Sequence, residues 1–304
     1  MTAPLPRLSV CLVNWNTRDH LQRCLESLRE HTSDLAPVIV VVDNGSEDGS
    51  AALVAEQFPE VRLLANPDNR GYAAGTNQAL AAVAAEHYLL LNPDVVVSPG
   101  SVQYLLDFLD RHPAAGAVAP RLRYPDGRVQ LTCRSFPTPD TLWYDALGLS
   151  RLFPHSRRFG KYRMSWWAHD DEREVDQPMA SALLLRGAAL AAVGGLDEDF
   201  PLFFNDVDLC YRLRQAGWAV WFTPQAEMTH FHGASTSQVW SQALNASERG
   251  FVCFYQKHYR GRLSGVTYAA TMSILKVGFA ARRLRLRLGG GTGPYRASWQ
   301  QRAE

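Results

Sequence analysis

The sequence lacks several features that would assign it to a common class. It has no uninterrupted apolar run of the roughly 18 residues that a membrane-spanning helix needs. Its Lys and Arg residues outnumber its Asp and Glu residues by 31 to 30, so no excess of positive charge indicates a nucleic acid partner. The N-terminal residues do not form the pattern of a signal peptide. We therefore expect a cytoplasmic protein that binds no nucleic acid.

Cysteine is scarce, and its spacing excludes two further classes. The five cysteines are Cys11, Cys24, Cys133, Cys210 and Cys253. Their odd number and the absence of a Cys-x-x-Cys pair argue against a disulfide framework and a cysteine-ligated zinc site.

Two common phosphate-binding motifs are also missing. No Gly-x-Gly-x-x-Gly follows the first predicted strand, and no Gly-x-x-x-x-Gly-Lys-[Ser/Thr] occurs anywhere. If this protein binds a phosphate, another group has to neutralise its charge. Asp94 with a metal ion is the candidate.

Short apolar runs alternate with helical patterns along the first hundred residues, which predicts an α/β protein with a doubly wound sheet. The runs have the composition of strands buried on both faces. The predicted strands lie at 8–13, 38–42, 61–65, 88–91, 180–185, 218–222 and 226–229.

Polar residues follow three of these strands directly. They are Asn14 and Asn16, Asp43 and Asn44, and Asn92 and Asp94. Because parallel strands end at the same edge of a sheet, these side chains can converge on a nucleotide. The alternative for Asn92–Asp94 is an Asn-Pro turn with a solvated aspartate.

Later segments add further candidate residues. Asp206 and Asp208 begin a predicted helix, where carboxylates also complement the helix dipole. His230 and His232 stand one residue apart at a strand end, which favours a metal site, although alternate strand positions share a face in any case.

Two segments differ from the rest in composition. Residues 134–175 are irregular, aromatic and charged, as long functional or disordered loops often are. Residues 264–288 form an apolar but interrupted stretch that ends in arginines and precedes a glycine-rich, predicted flexible tail. A basic amphipathic helix of this kind fits a membrane surface, and the alternative is a helix docked on the domain with its arginines in water.

Taken together, these stretches resemble the family 2 glycosyltransferases of the GT-A fold, and within them the bacterial rhamnosyltransferase-like branch. The matching pieces follow the family's order over about residues 7–236. They are 41–46 with 48–50, 69–77, 92–94, 194–209, and His230 with Gly233 and Ser235.

The resemblance implies a single Rossmann-like nucleotide-binding sheet fused to an acceptor half. The nucleotide half would span about 7–97 and the acceptor half about 98–236, followed by a helical, basic C-terminal extension at 237–304. The implied reaction is an inverting hexosyl transfer from a nucleoside-diphosphate sugar, with dTDP-rhamnose favoured over a UDP-hexose. The acceptor would be a glycan or lipid-linked glycan in cell-envelope polysaccharide synthesis, and the basic helix would hold the protein at the inner face of the membrane.

The resemblance also implies roles for the donor-side residues. Trp15 and Asp43 border the base, and Arg70 lies near the nucleotide. Asn92 and Asp94 occupy the place of the family's Asp-x-Asp motif, with Asn92 replacing its first carboxylate.

The remaining roles concern the metal and the proton. Asp94 and His230 would hold Mg²⁺ or Mn²⁺. Asp206 matches the catalytic base, and Asn205 replaces the Glu that commonly precedes it. Because an amide cannot take a proton at neutral pH and Asp208 is held ionised at the helix start, Asp206 is the carboxylate best suited to the role.

Two other functions stay open at the level of sequence. A sugar nucleotidyltransferase usually carries a Gly-rich loop with Lys or Arg after the first strand, and residues 13–17 form no such loop. A non-catalytic nucleotide-sugar-binding protein is the second alternative, and the presence of both Asp94 and Asp206 argues against it.

Overall fold

The computed structural model describes residues 4–200, 202–231 and 240–287, with no side-chain description at 240–243 and 285–287. His232, Gly233, Ser235 and the predicted tail lie outside the described residues. The strands are β1 (Leu8–Asn14), β2 (Val38–Asn44), β3 (Arg62–Asn66), β4 (His87–Leu91), β5 (Val95–Val97), β6 (Ala115–Arg123), β7 (Val129–Gln130), β8 (Arg173–Glu174), β9 (Ala182–Arg186) and β10 (Ala219–His230). The helices are α1 (Arg18–Thr32), α2 (Ser50–Gln57), α3 (Tyr72–Ala82), α4 (Ser101–Arg111), α5 (Pro139–Ala146), α6 (Leu149–Leu152), α7 (Gly187–Val193), α8 (Asn205–Gln215), α9 (Trp240–His258) and α10 (Gly265–Arg287).

The described strands form one mixed sheet in the order β3-β2-β1-β4-β9-β6-β10-β5, with β7 beside β6 and β8 beside β10. The first four strands in this order are parallel, which confirms the predicted Rossmann-like part of the sheet. The doubly wound pattern stops at β9, which runs antiparallel to both β4 and β6. The start of β9 therefore lies beside the end of β4, with Ala182 opposite Leu91.

The sheet is covered on both faces because its central strands carry mainly apolar residues on both faces. Leu89 and Leu91 of β4 pack with α1, α2 and α4, whereas Leu90 packs on the opposite face with α3, α7 and α8. This arrangement explains why these strands appear in the sequence as continuous apolar runs.

Two sequence predictions need correction. The stretch 134–175 contains α5 and α6 as well as β8, so it is less irregular than its composition suggests. The predicted strands 218–222 and 226–229 are one long strand, β10, whose pairing with β6 shifts in register between Thr223 and Glu227. Pro224, which cannot donate a backbone hydrogen bond, lies within this shift.

The C-terminal helices α9 and α10 pack against α8 and α5. Phe254 and Tyr255 of α9 are fully buried in the same core as α8. Helix α10 packs on α5, where Trp143 Nε1 donates a 3.2 Å hydrogen bond to Thr271 Oγ1. Among the described residues, no helix has the length and apolar character needed to cross a bilayer.

Candidate active site

The ends of β1 and β2 are joined by a buried hydrogen-bond network around Asp43. Asn14 Nδ2 donates to Asp43 Oδ1 at 2.8 Å, and the Ser46 backbone N–H donates to Asp43 Oδ2 at 2.9 Å. The Asp43 carboxylate is only 2% exposed, so its position is fixed by the strand ends rather than by solvent. Trp15 follows Asn14 directly and is half-buried.

Arg70 lies on the outer part of this edge. Its side chain is exposed and stands 3.8 Å from the Asp68 carboxylate. It lines an open cavity of about 430 Å³ along α3, with Gln78 and Glu198. For its predicted role near a nucleotide, Arg70 would therefore have to contact the nucleotide from the exposed rim of the site.

Asn92 connects the end of β4 to the segment before β9. Its backbone N–H donates to the Ser181 carbonyl at 2.8 Å, and its side-chain amide donates to Ser181 Oγ at 3.2 Å. Asn92, which replaces the first carboxylate of the family motif, thus links the end of β4 to the residue that precedes β9.

Asp94 and His230 meet because the last residues of β10 pair antiparallel with β5. His230 is opposite Val95 in this pairing, and the Phe231 N–H donates to the Asp94 carbonyl at 2.8 Å. The His230 Nε2 atom lies 3.3 Å from Asp94 Oδ1, and both residues are buried. The structure therefore brings together the two residues predicted to hold a metal.

Gln130 of β7 fixes the orientation of the His230 ring. Its Nε2 donates to the His230 backbone carbonyl at 2.7 Å, which leaves its Oε1 facing His230 Nδ1 at 2.9 Å. Since an amide oxygen only accepts, Nδ1 carries the proton, and in the neutral ring Nε2 keeps its lone pair on the side of Asp94. No sequence signal indicated Gln130 as a site residue, because a single glutamine in a hairpin matches no motif.

The donor set at Asp94 and His230 fits a divalent cation. A carboxylate oxygen and an imidazole nitrogen held by a hydrogen bond on its other nitrogen are both common metal ligands. Within the described residues, no group of three or more His, Cys, Asp or Glu side chains could hold a metal. A cation here would therefore take its remaining ligands from water or from a bound diphosphate.

Asp206 stands at the start of α8 in a half-buried position. Phe204, directly before the helix, has a positive φ of 76°, which is rare for a residue other than glycine and often marks a functional site. The Asp206 carboxylate accepts from the Val207 N–H at 2.8 Å and from the Ala180 N–H at 3.4 Å. Burial nonetheless raises the pKa of Asp206, which makes it a stronger base than a solvated aspartate.

Asp208 has the opposite environment. Its fully buried carboxylate accepts from Arg212 Nε at 2.7 Å, Lys257 Nζ at 2.8 Å and His258 Nε2 at 2.7 Å. Burial acts to raise the pKa of Asp208, but these three partners outweigh it and lower the pKa to about 2. Asp208 therefore anchors α9 to α8 and is a poor base.

Two features place Asp206 and Asp94 in one site. Burial and then the negative charges of Asp206 and Asp94 raise the pKa of the Tyr72 phenol, so both carboxylates act on one hydroxyl. The two residues before β9 provide a second link, since Ala180 contacts Asp206 while Ser181 contacts Asn92. Tyr72, at the start of α3, was not among the predicted site residues.

Comparisons with known proteins identify the family of this chain. The family described as "Glycosyl transferase family 2" matches residues 9–167. The "N-acetylglucosaminyl-diphospho-decaprenol L-rhamnosyltransferase" of Mycobacterium tuberculosis is 34% identical over 273 residues, which cover 86% of this chain and 87% of the relative.

Two solved structures share the fold. The mannosyltransferase PcManGT from Pyrobaculum calidifontis, in complex with GDP-Man and Mn²⁺, superposes with a TM-score of 0.58 at 17% identity, over 99% of this chain and 80% of that one. GalNAc-T7 with UDP, GalNAc and Mn²⁺ gives a TM-score of 0.54 at 13% identity, over 75% of this chain and 44% of that one. The chain is thus a glycosyltransferase of the GT-A fold and belongs to family 2, within its rhamnosyltransferase-like branch.

Proposed function

We propose that this enzyme transfers rhamnose from dTDP-rhamnose, with inversion, to a lipid-linked glycan during cell-envelope polysaccharide synthesis. The observation that carries the proposal is the convergence of Asp206 with the Asp94–His230 pair at one edge of the sheet. The identity of the sugar and of the acceptor class is supported by the mycobacterial relative, whose name states both. A UDP-hexose is the alternative donor.

The donor would bind along the ends of β1, β2 and β4. Asp43 and Trp15 would border the base, where a carboxylate can accept from the imide N–H of thymine or uracil. Asp94 and His230 would hold Mg²⁺ or Mn²⁺, and a bound cation would act as a Lewis acid toward the leaving diphosphate. Arg70 would approach the nucleotide from the rim.

Asp206 would act on the acceptor side. Its carboxylate takes the proton from the acceptor hydroxyl while the hydroxyl oxygen bonds to the anomeric carbon and the bond to the diphosphate oxygen breaks. A single displacement of this kind inverts the anomeric configuration. The raised pKa of Asp206 suits it to this transfer because a solvated aspartate is a weaker base. We place this reaction at the inner face of the cell membrane, with the C-terminal basic helix in contact with the lipid.

A ligand panel tests the donor assignment. The full-length protein would be unfolded thermally with dTDP, UDP or GDP, each with and without Mn²⁺. A ligand present at about 100 times its Kd adds roughly 2.7 kcal/mol to the free energy of unfolding, which is readily measured. We expect stabilisation by dTDP that increases with Mn²⁺. Stabilisation by GDP alone would overturn the donor assignment.

Turnover tests the reaction itself. We expect dTDP release from dTDP-rhamnose to require a diphospho-linked N-acetylglucosamine acceptor, and the product to have the inverted anomeric configuration. Retention of configuration, or release of dTDP at the same rate without acceptor, would contradict the proposed transfer.

A further inference from the structure

Exposed apolar side chains are concentrated on two neighbouring parts of the protein surface. Of the nine large apolar side chains that are exposed among the described residues, seven lie in the segment 143–153 or on α10. They are Trp143, Leu147, Leu152, Phe153, Val266, Val277 and Leu284. Leu147 is 74% exposed and Val266 is 82% exposed, so these side chains stand out from the surface rather than packing on it.

The same two parts carry positive charge, and their single acidic residue is Asp145, which is half-buried. Between Asp145 and Asp170 there is no Asp or Glu, whereas Arg151, Arg157, Arg158, Lys161 and Arg163 are all exposed. Within the described residues, no Asp or Glu forms an ion pair with any of these four arginines. The chain from Arg249 through Arg287 likewise contains no Asp or Glu. Since the whole protein has a net charge of only +1, its charge is distributed very unevenly.

The two parts adjoin through the packing of α5 on α10. The hydrogen bond from Trp143 to buried Thr271 lies at this contact. Leu275 and Phe279 of α10 are buried, so Val277 between them faces away from the protein. Val266, Val277 and Leu284 follow at intervals of 11 and 7 residues, close to whole numbers of helical turns, and share that outer face. We call the exposed side chains of 143–163 and of α10 the apolar–basic surface.

We infer that the apolar–basic surface docks on an anionic lipid bilayer. Protruding aliphatic and aromatic side chains gain free energy by entering the boundary between headgroups and acyl chains, and the surrounding arginines are attracted by anionic headgroups. Because no described helix can span a bilayer, the contact is peripheral. The inference rests on the proposed function in one respect, since a lipid-linked acceptor has to be reached at a membrane. It extends the predicted contact, which involved only 264–288, to the segment 143–163.

Vesicle sedimentation of the full-length protein tests this surface. The vesicles would contain equal parts of phosphatidylglycerol and phosphatidylcholine and no lipid-linked sugar, and vesicles of phosphatidylcholine alone would serve as the comparison. We expect sedimentation with the anionic vesicles that weakens in high salt. An Arg157→Gln/Arg158→Gln variant should bind about 30-fold more weakly.

The apolar contribution has its own variant and control. Leu152→Ser/Phe153→Ser should weaken vesicle binding at least about tenfold, because both side chains enter the lipid boundary. Leu5→Ser removes an equally exposed leucine outside the surface and should bind as the wild type does. Thermal unfolding would verify that all variants remain folded. Absence of binding to anionic vesicles, or equal binding by the wild type and both surface variants, would overturn the inference.

Transfer to a water-soluble acceptor, without vesicles, separates the two proposals. We expect the surface variants to retain wild-type rates in this assay, because none of the changed residues lies at the candidate active site. Loss of transfer by the wild type with vesicle binding intact would refute the proposed function alone. Normal transfer without vesicle binding would refute the docking surface alone.

Discussion

Gln130 and His230 are joined by two hydrogen bonds, one from the Gln130 amide nitrogen to the His230 backbone carbonyl and one from His230 Nδ1 to the amide oxygen. The first bond fixes which way the amide points, and the second thereby fixes which ring nitrogen is protonated. His230 Nε2 is then the atom that can act as a ligand beside Asp94. The proposed cation would therefore depend on a residue that does not touch it.

The first prediction concerns this positioning role. Gln130→Leu should weaken Mn²⁺ binding, measured by calorimetry without donor, by about 10–100-fold, the usual effect of losing a hydrogen bond to a metal-binding histidine. Gln103→Leu removes a glutamine that bonds only Asp107 and is the matched control. Unchanged Mn²⁺ affinity in Gln130→Leu would show that the ring is held by other contacts.

The second prediction separates two neighbouring aspartates. Asp206→Asn should lower kcat about 10²–10⁴-fold, the usual cost of losing a general base. Its melting temperature should stay the same or rise, because the folded state favours the uncharged form of a carboxyl whose pKa burial has raised. If Asp206→Asn turned over within a few-fold of the wild type, under conditions where chemistry limits the rate, Asp206 would not be the general base.

Asp208→Asn is the matched comparison and the third prediction. It leaves Arg212 without its buried counterion and Lys257 with Asp197 alone, so the free energy of unfolding should fall by about 3–5 kcal/mol. The kcat of the folded fraction should stay near that of the wild type. Urea unfolding and turnover measured on the same samples test both statements, and a loss of kcat without a loss of stability would contradict them.

The fourth prediction is a pH dependence of stability. The pKa of Asp208 is about 2 in the folded protein against 3.8 for an ordinary aspartate. Its stabilising contribution, roughly 2 kcal/mol, is complete above the ordinary value and is lost as the pH falls toward 2. The difference in urea midpoint between the wild type and Asp208→Asn should therefore shrink between about pH 5 and about pH 2. A constant difference over that range would contradict this assignment.

The fifth prediction concerns donor binding. Asp94→Asn should weaken dTDP binding and reduce its dependence on Mn²⁺ together, because the same carboxylate would hold the cation that meets the diphosphate. Asp206→Asn should leave dTDP affinity nearly unchanged and is the control. Equal loss of dTDP affinity in both variants would indicate that Asp206 also contributes to donor binding, which would contradict the proposed roles.

Much of the fold could be predicted from the sequence. The strands β1, β2 and β4 are mainly apolar runs followed by polar residues, and this local pattern predicted their positions in the chain. The family motif pieces then predicted the GT-A fold. By contrast, the antiparallel placement of β9 depends on pairing with strands far away in the chain, which no local pattern encodes.

The candidate site, like the fold, could be predicted only in part. Asp43, Asp94, Asp206 and His230 stand at strand or helix ends where motifs mark them. Gln130 contributes only through its contacts with His230, and Tyr72 is linked to the site only through the effect of Asp206 and Asp94 on its pKa. The ionised state of Asp208 was expected from its place at a helix start. Its partners Lys257 and His258, which stabilise the ionised carboxylate, belong to α9 and are distant in the chain.

The position of β9 also affects how the chain folds during synthesis. β4 is apolar from Tyr88 to Leu91, and the edge of it that β9 covers stays unpaired until the ribosome has made Ala182–Arg186. At roughly 5–20 residues per second, this interval lasts roughly 5–20 s. An unpaired apolar strand edge is a template for aggregation. The nascent chain therefore passes through a period in which the parallel part of its sheet is exposed to misassociation, and a chaperone that covers this edge would protect it.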